Sequence, residues 1–174
     1  MIDKQLTVKG IGKPSLTERK GNRSIVSLSA DGCILEGFEI MPYETEHESG
    51  YLFAGIYVSS DDNTISKNDI SYCYYGIYLE NSDENTIKDN VCSFNEVAIE
   101  FEYSDNNTIS KNNCFSNKYA AIKLICSNNN QHIEDNICDY NNRGIYLFSS
   151  RGNTIKNCSC SSNGEGGIYL GQLS

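Results

Sequence analysis

A repeat of about 22 residues is the feature of this sequence that most restricts its fold. Five copies share a Thr-Ile or His-Ile step, and the isoleucines of these steps are 22, 22, 24 and 22 residues apart. A Gly-Ile or Ala-Ile step follows in each copy, and its isoleucines are 22, 23, 23 and 23 residues apart. Repeats of this length indicate a solenoid, in which each copy is one unit stacked on the previous one. The two sets of isoleucines are Ile65, Ile87, Ile109, Ile133 and Ile155, and Ile77, Ile99, Ile122, Ile145 and Ile168.

Within each copy the apolar residues recur with a period of two, as in Ile77 with Leu79 and Ile145 with Leu147. That period and the β-branched residues predict short strands rather than helices. Leucine-rich repeats share the period but need more than the ten leucines found here, and the return segments, such as residues 113–117, are short and rich in Asn. The sequence therefore predicts an all-β fold, a parallel β-helix whose coils of about 22–24 residues stack about 4.8 Å apart.

Asparagine and serine each occur 21 times, and the asparagines fall at fixed places in the repeat. Stacking would align them into rows along the solenoid, where each amide can donate to one neighbouring coil and accept from the other. Gln131 takes the place of asparagine in one row. The predicted rows are Asn63, Asn85, Asn107, Gln131 and Asn153; Asn68, Asn90, Asn112 and Asn136; and Asn95, Asn117, Asn141 and Asn163.

The eight cysteines follow the same repeat. One stands five residues after the first isoleucine in four copies, where the earliest copy has Ile70. A free cysteine packs as a small apolar residue, so we expect a reduced row that faces the core. Bridges between coils are the alternative, because stacked Cα atoms lie within disulfide range, and a metal at the Cys158-x-Cys160 pair is a third. The row comprises Cys92, Cys114, Cys138 and Cys160, while Cys73 and Cys158 occupy positions where other coils have asparagine.

Residues 1–60 are a looser version of the repeat, and the whole chain, 1–174, is predicted to form a single domain. Ile34 aligns with Ile65, which is 31 residues further on. We assign the extra length to residues 42–51 and predict a protruding acidic loop, in which His47 stands among glutamates.

The outward side of the second strand is the predicted functional face, because a solenoid packs its interior. Acid–base chemistry there would use the carboxylates Glu80, Glu100 and Glu102 with Lys123 nearby, while the exposed rings suit stacking on sugars or on a protein. A net charge of −9 argues against nucleic acid, and no segment reaches the roughly 18 apolar residues of a membrane span. No cofactor and no metal are predicted. The candidate ligand-binding residues are Tyr57, Tyr78, Glu80, Glu100, Glu102, Lys123, Tyr146, Phe148 and Tyr169.

The repeated motif Asn-Thr-Ile-x-x-Asn, followed by Gly-Ile-x-Leu-x-x-Ser, resembles the right-handed β-helix repeats of NosD-type proteins, as does the segment 29–38. Similar repeats occur in archaeal surface proteins and in the carbohydrate-binding and sugar-hydrolysis β-helix domain. The resemblance covers residues 5–170 approximately. It implies a right-handed parallel β-helix, a periplasmic, cell-surface or extracellular location, and a glycan or an assembly protein as partner.

These observations together predict a non-catalytic domain that binds a glycan or a protein partner on its outward strand face. One alternative is a structural coil stack within a larger surface protein or a NosD-like copper-assembly protein. The other is a polysaccharide lyase, hydrolase or epimerase. Because the chain starts without a leader and stops just past a strand, we expect it to be a fragment or a truncated solenoid.

Overall fold

The computed structural model describes residues 1–18, 24–43, 54–130 and 132–172, and every regular element in them is a β-strand. The chain is a right-handed parallel β-helix, in which successive strands of three parallel sheets come from successive coils. None of the described residues form a helix that could cross a membrane. The predicted acidic loop, residues 42–51 with His47, lies outside the described residues except for Pro42 and Tyr43.

The three sheets run along the solenoid, and their strands are numbered in chain order. Sheet 1 contains β1 (Thr7–Lys9), β4 (Ile34–Glu36), β7 (Thr64–Ser66), β10 (Thr86–Lys88), β13 (Thr108–Ser110), β16 (His132–Glu134) and β18 (Ile155–Lys156). Sheet 2 contains β2 (Ser15–Leu16), β5 (Glu39–Ile40), β8 (Asp69–Ser71), β11 (Val91–Ser93) and β14 (Asn113–Phe115). Sheet 3 contains β3 (Val26–Leu28), β6 (Ala54–Val58), β9 (Tyr75–Glu80), β12 (Val97–Glu102), β15 (Ala120–Ile125), β17 (Arg143–Phe148) and β19 (Gly166–Gly171).

The register of the sheets follows the isoleucine repeat. Ile87 pairs with Ile65 on one side and Ile109 on the other, as the spacing predicts. The alignment of the first copy was wrong by one residue, because Leu35 pairs with Ile65 and Ile34 pairs with Thr64. Leu35 is the fully buried residue of that strand, so the side chain that points into the core sets the register.

The interior is filled by rows of isoleucine, leucine and cysteine. Cys92 pairs with Ile70 and Cys114 in sheet 2, so cysteine does replace an apolar core residue. All eight cysteines are free thiols; Cys138 is fully buried, whereas Cys160 is only partly buried. Burial alone raises the pKa of Cys73 to about 12, which keeps this thiol protonated.

Hydrogen-bonded rows of buried asparagine line three corners of the coils. In the second row, for example, Asn68 Nδ2 donates to Asn90 Oδ1 at 3.1 Å. Asn130 takes the fourth place of the first row, which the sequence assigned to Gln131: Asn107 N donates to Asn130 Oδ1, and Asn130 N donates to Asn153 Oδ1. Gln131 itself lies outside the described residues. Serines line a fourth corner, where each backbone N–H donates to the hydroxyl of the next coil. Its members are Ser82, Ser104, Ser127 and Ser150.

The long strands of sheet 3 break the usual alternation of inward and outward side chains. Ala98 and its neighbour Ile99 are both buried in the core. A methyl group at Gly76, the equivalent position one coil earlier, would lie 2.5 Å from the carbonyl oxygen of Ala98, so glycine fits there without a shift of the backbone and alanine does not. Because two consecutive residues point inward, the residue before them, Tyr75 in β9, faces outward.

Candidate ligand-binding face

The side of sheet 3 that points away from the core, here called the outer face, carries all nine residues that the sequence predicts for ligand binding. They stand on six neighbouring strands from β6 to β19. The middle row of the face pairs directly from coil to coil. It comprises Tyr57, Tyr78, Glu100, Lys123, Tyr146 and Tyr169. A second row runs beside it and comprises Glu80, Glu102, Ile125, Phe148 and Gly171.

At the N-terminal half of the outer face, tyrosines of one coil bind glutamates of the next. Tyr57 Oη donates to Glu80 Oε2 at 2.6 Å, and Tyr78 Oη donates to Glu102 Oε2 at the same distance. Burial, reinforced by Glu80, raises the pKa of Tyr57 to about 12, and burial together with Glu102 raises that of Tyr78 further. The ring of Tyr75 stacks on that of Tyr78 with centroids 4.7 Å apart. The phenols of Tyr57 and Tyr78 therefore stay protonated and donate to carboxylates in fixed positions.

Glu100 lies at the centre of the outer face but is only 2% exposed. Lys123 Nζ lies 3.1 and 3.2 Å from its two carboxylate oxygens. Burial raises the pKa of Glu100, the charge of Lys123 opposes this effect, and Glu102 adds to it. Glu100 thus points outward as predicted, but its carboxylate is covered and ion-paired rather than open to a ligand.

At the C-terminal half, the guanidinium of Arg143 lies among three rings. Its Cζ is 4.8 Å from the ring centroid of Tyr119, 4.9 Å from that of Tyr146 and 4.8 Å from that of Tyr169. Arg143 Nε also donates to Glu165 Oε2 at 2.7 Å. This arrangement combines cation–π contacts with an ion pair, and it holds the rings of three successive coils in place.

Sequence reasoning missed Tyr75 and Arg143 on the outer face, and it missed Tyr119 and Glu165, which stand directly before β15 and β19 at its edge. Strict alternation from the repeat isoleucines places Tyr75 and Arg143 on the inward side. The pair of consecutive inward residues reverses that assignment, and the small residues Gly76 and Gly144 before the isoleucines are the signal that could have shown it.

Aspartates of successive coils form a row at one turn and serve the backbone. Asp61 Oδ1 accepts a hydrogen bond from Asp83 N at 2.8 Å, and Asp83 Oδ1 accepts one from Asp105 N at 2.7 Å. Each carboxylate therefore helps to fix the next coil, which is the structural role expected of aspartate at turns.

A parallel β-helix with a ring-lined outer face is the architecture of a solenoid repeat protein. Residues 17–174 match the family described as periplasmic copper-binding protein (NosD). Because this match covers most of the sequence, the chain belongs to the NosD family.

The chain is also similar to a solved structure, the crystal structure of the periplasmic alginate epimerase AlgG, with a TM-score of 0.59 and 19% sequence identity. The likeness covers 86% of this chain and 42% of that chain, so this chain spans less than half the length of the epimerase. At this identity the likeness shows the fold alone. No curated protein matches the sequence.

Proposed function

We propose that the outer face binds a glycan and does not catalyse a reaction on it. The observation that carries this proposal is the row of partly exposed tyrosines on neighbouring coils, with Tyr169 45% exposed at one end. Tyrosine presents a flat apolar ring and a polar hydroxyl, a combination suited to sugar rings, which also have apolar faces and polar edges. A row that extends from Tyr57 to Tyr169 suits an extended chain of several sugar units better than a small compact ligand.

The hydrogen bonds of the carboxylates favour binding over catalysis. The alternative of a lyase, hydrolase or epimerase would use Glu80, Glu100 and Glu102 with Lys123 as acid and base. Glu100 and Lys123 are bound to each other and largely buried. Glu80 and Glu102 each hold a phenol proton donor, so their positions are fixed for accepting hydrogen bonds from hydroxyl groups rather than for moving protons.

A periplasmic location forms part of the proposal. The family is described as periplasmic, and AlgG is a periplasmic enzyme. A glycan ligand suits this location because polysaccharides are abundant outside the cytoplasm. The free thiols are compatible with an oxidising compartment, because those of the core, such as Cys114, are fully buried.

Copper binding, which the family description names, does not fit the residues that the structure describes. Copper prefers thiolate, thioether and imidazole ligands. The cysteines of the core are buried, and a hydrogen bond with Cys92 and burial raise the pKa of Cys114 well above its usual range. His132 is exposed on sheet 1, and the described residues contain no group of three His, Cys, Asp or Glu that could hold a metal ion.

The proposal is tested by screening the chain on a glycan array and then titrating the best glycan against variants. Tyr78→Ala combined with Tyr146→Ala should weaken binding at least tenfold, because it removes a ring from each half of the outer face. Tyr169→Ala, at the most exposed ring of the row, should weaken it less.

Tyr140→Ala is the matched control, since Tyr140 is 67% exposed but lies outside sheet 3. This variant should bind as the wild type does, and thermal midpoints of all variants should show that they are folded. Absence of binding to any glycan, or wild-type affinity in the double variant, would overturn the proposal. Cleavage or epimerisation of the bound glycan that is lost in Glu102→Gln would establish the enzyme alternative instead.

A further inference from the structure

The C-terminal half of the outer face already shows what kind of group this surface accommodates. There the chain's own Arg143 lies within 4.9 Å of three tyrosine ring centroids, and Glu165 neutralises its charge. Aromatic faces attract cations through the negative charge above the ring, and a nearby carboxylate strengthens the attraction. One half of the face is therefore a site for an organic cation, and it is filled from within the molecule.

The N-terminal half has the same ingredients in a different arrangement. The rings of Tyr57, Tyr75 and Tyr78 lie together, with centroids 5.8 Å apart for Tyr57 and Tyr78 and 4.7 Å apart for Tyr75 and Tyr78. Glu80 and Glu102 stand directly opposite each other on adjacent strands. These five residues are named the ring–carboxylate cluster.

The ring–carboxylate cluster has no internal cation among the residues that the structure describes. No described lysine or arginine lies over its rings or pairs with its carboxylates. Lys123, on the adjoining coil, is bound to Glu100 and lies 5.5 Å from the ring centroid of Tyr119. Lys123 therefore does not fill the role that Arg143 fills in the other half.

The local electrostatics favour a cation at this cluster. Two carboxylates directly opposite each other in a sheet repel, and a positive charge between them relieves that repulsion. The phenols of Tyr57 and Tyr78 donate to these carboxylates, which leaves their rings richer in electrons and more attractive to a cation. The net charge of −9 also attracts a cation over a longer range.

We propose that the ring–carboxylate cluster binds an ammonium group, so that the glycan recognised by the outer face is one with free amines, a glycosamine polymer, rather than a polyuronate. This inference rests on the proposed function and specifies its ligand. The ammonium group lies over the tyrosine rings and between the two carboxylates, while the following sugar units extend along the row toward Tyr169.

Three oligosaccharides of equal length test the inference by calorimetric titration at slightly acidic pH, where a sugar amine is protonated. They are a chitosan oligomer, its fully N-acetylated counterpart and a uronic acid oligomer. The chitosan oligomer should bind at least tenfold more tightly than the acetylated one, its affinity should fall as salt is raised, and the uronic acid oligomer should not bind.

Glu80→Gln with Glu102→Gln should abolish the preference for the amine, and the single variant Glu80→Gln should reduce it. Glu134→Gln is the control for the single variant, because it removes one negative charge from sheet 1 and should leave the preference intact. Equal binding of the amine and acetyl forms, or tighter binding of the uronate, would overturn the inference while the proposed function stands. Failure to bind any of the three while an array glycan is bound would overturn the inference alone, and failure to bind any glycan of the array as well would overturn both.

Discussion

Each buried asparagine at a corner connects the coils on both sides of it. Asn112 Oδ1 accepts hydrogen bonds from the backbone N and the Nδ2 of Asn90 in the preceding coil, at 3.0 and 3.1 Å. Asn112 Nδ2 donates to Ile87 O at 2.9 Å and to Asn136 Oδ1 in the following coil at 3.1 Å. An amide carries an acceptor oxygen and a donor nitrogen with two hydrogens, so one uncharged side chain can bond to both neighbouring coils at once, which explains why asparagine recurs here.

Replacing Asn112 with leucine is expected to lower the free energy of unfolding by about 1–3 kcal/mol, because it leaves Asn90 N and Ile87 O, two buried backbone groups of the preceding coil, without their side-chain partner. Asn113→Leu is the matched control: Asn113 is the next residue in sequence, is only partly buried, and should change stability by about 0.5 kcal/mol or less. Urea denaturation of both variants measures the difference. Equal effects of the two substitutions would contradict the role assigned to the amide.

The sequence predicts most of these rows at the level of single residues, because asparagine recurs at the repeat spacing. It misplaces the fourth member of the first row. The chain has one residue more between Asn130 and Ile133 than between Asn107 and Ile109, so counting back from the isoleucine arrives at Gln131. The requirement for an amide that reaches both neighbouring coils selects Asn130 instead.

Among the elements, sheet 3 has an outer face that combines charge with rings over six neighbouring strands. Its central ion pair joins a carboxylate that is 2% exposed to a lysine whose side chain is 17% exposed. Removing both charges from water is costly, and the attraction between them offsets only part of that cost. The raised pKa of Glu100 expresses this balance, since Lys123 does not fully compensate for the burial.

Because the folded protein raises the pKa of Glu100 above its usual 4.5, the contribution of this group to stability is full below that pH and is lost as pH rises through the folded-state pKa. Glu100→Gln removes this dependence. The thermal midpoint of the variant relative to wild type should therefore rise as pH increases from about 4.5 toward neutrality.

The variant also leaves Lys123 without its partner. While Lys123 stays charged, this loss changes the difference in thermal midpoint by the same amount at every pH, so it does not change the slope of that difference with pH. Glu102 and Tyr75 are the other titratable groups that act on Glu100 or are affected by it, and both remain in the variant. Glu134→Gln serves as the control for loss of one negative charge. A difference that stays flat, or falls, between acidic and neutral pH would show that burial does not dominate at Glu100.

The strands themselves are predictable from the period of two, but their outward residues are only partly so. Tyr78, Tyr146 and Tyr169 follow from simple alternation. Tyr75 and Arg143 do not, because two consecutive inward residues in each long strand shift the alternation at its start. That shift depends on the close approach of neighbouring coils, a long-range contact that the spacing within one repeat does not encode.

On the scale of the whole molecule, each coil gains its stability from the coils above and below it. Equivalent residues therefore differ in burial according to their place along the solenoid. Ile122, in the middle, is fully buried, whereas Ile168, at the same position of the repeat in β19, is 53% exposed. Their strands are separated only by β17, so composition and backbone geometry are closely matched while the neighbouring coils differ.

The matched pair Ile122→Ala and Ile168→Ala isolates the contribution of neighbouring coils in the 174-residue chain. Ile122→Ala should lower the free energy of unfolding by about 2–5 kcal/mol, because it opens a cavity between two packed coils that cannot close around it. Ile168→Ala removes the same atoms where solvent already reaches the side chain, and should cost about 0.5 kcal/mol or less. Urea denaturation gives both values, and hydrogen exchange should show residues 166–171 exchanging faster than residues 120–125 in the wild type. Equal costs at the two isoleucines, or uniform exchange along the solenoid, would mean that stability is shared over the whole molecule rather than between adjacent coils.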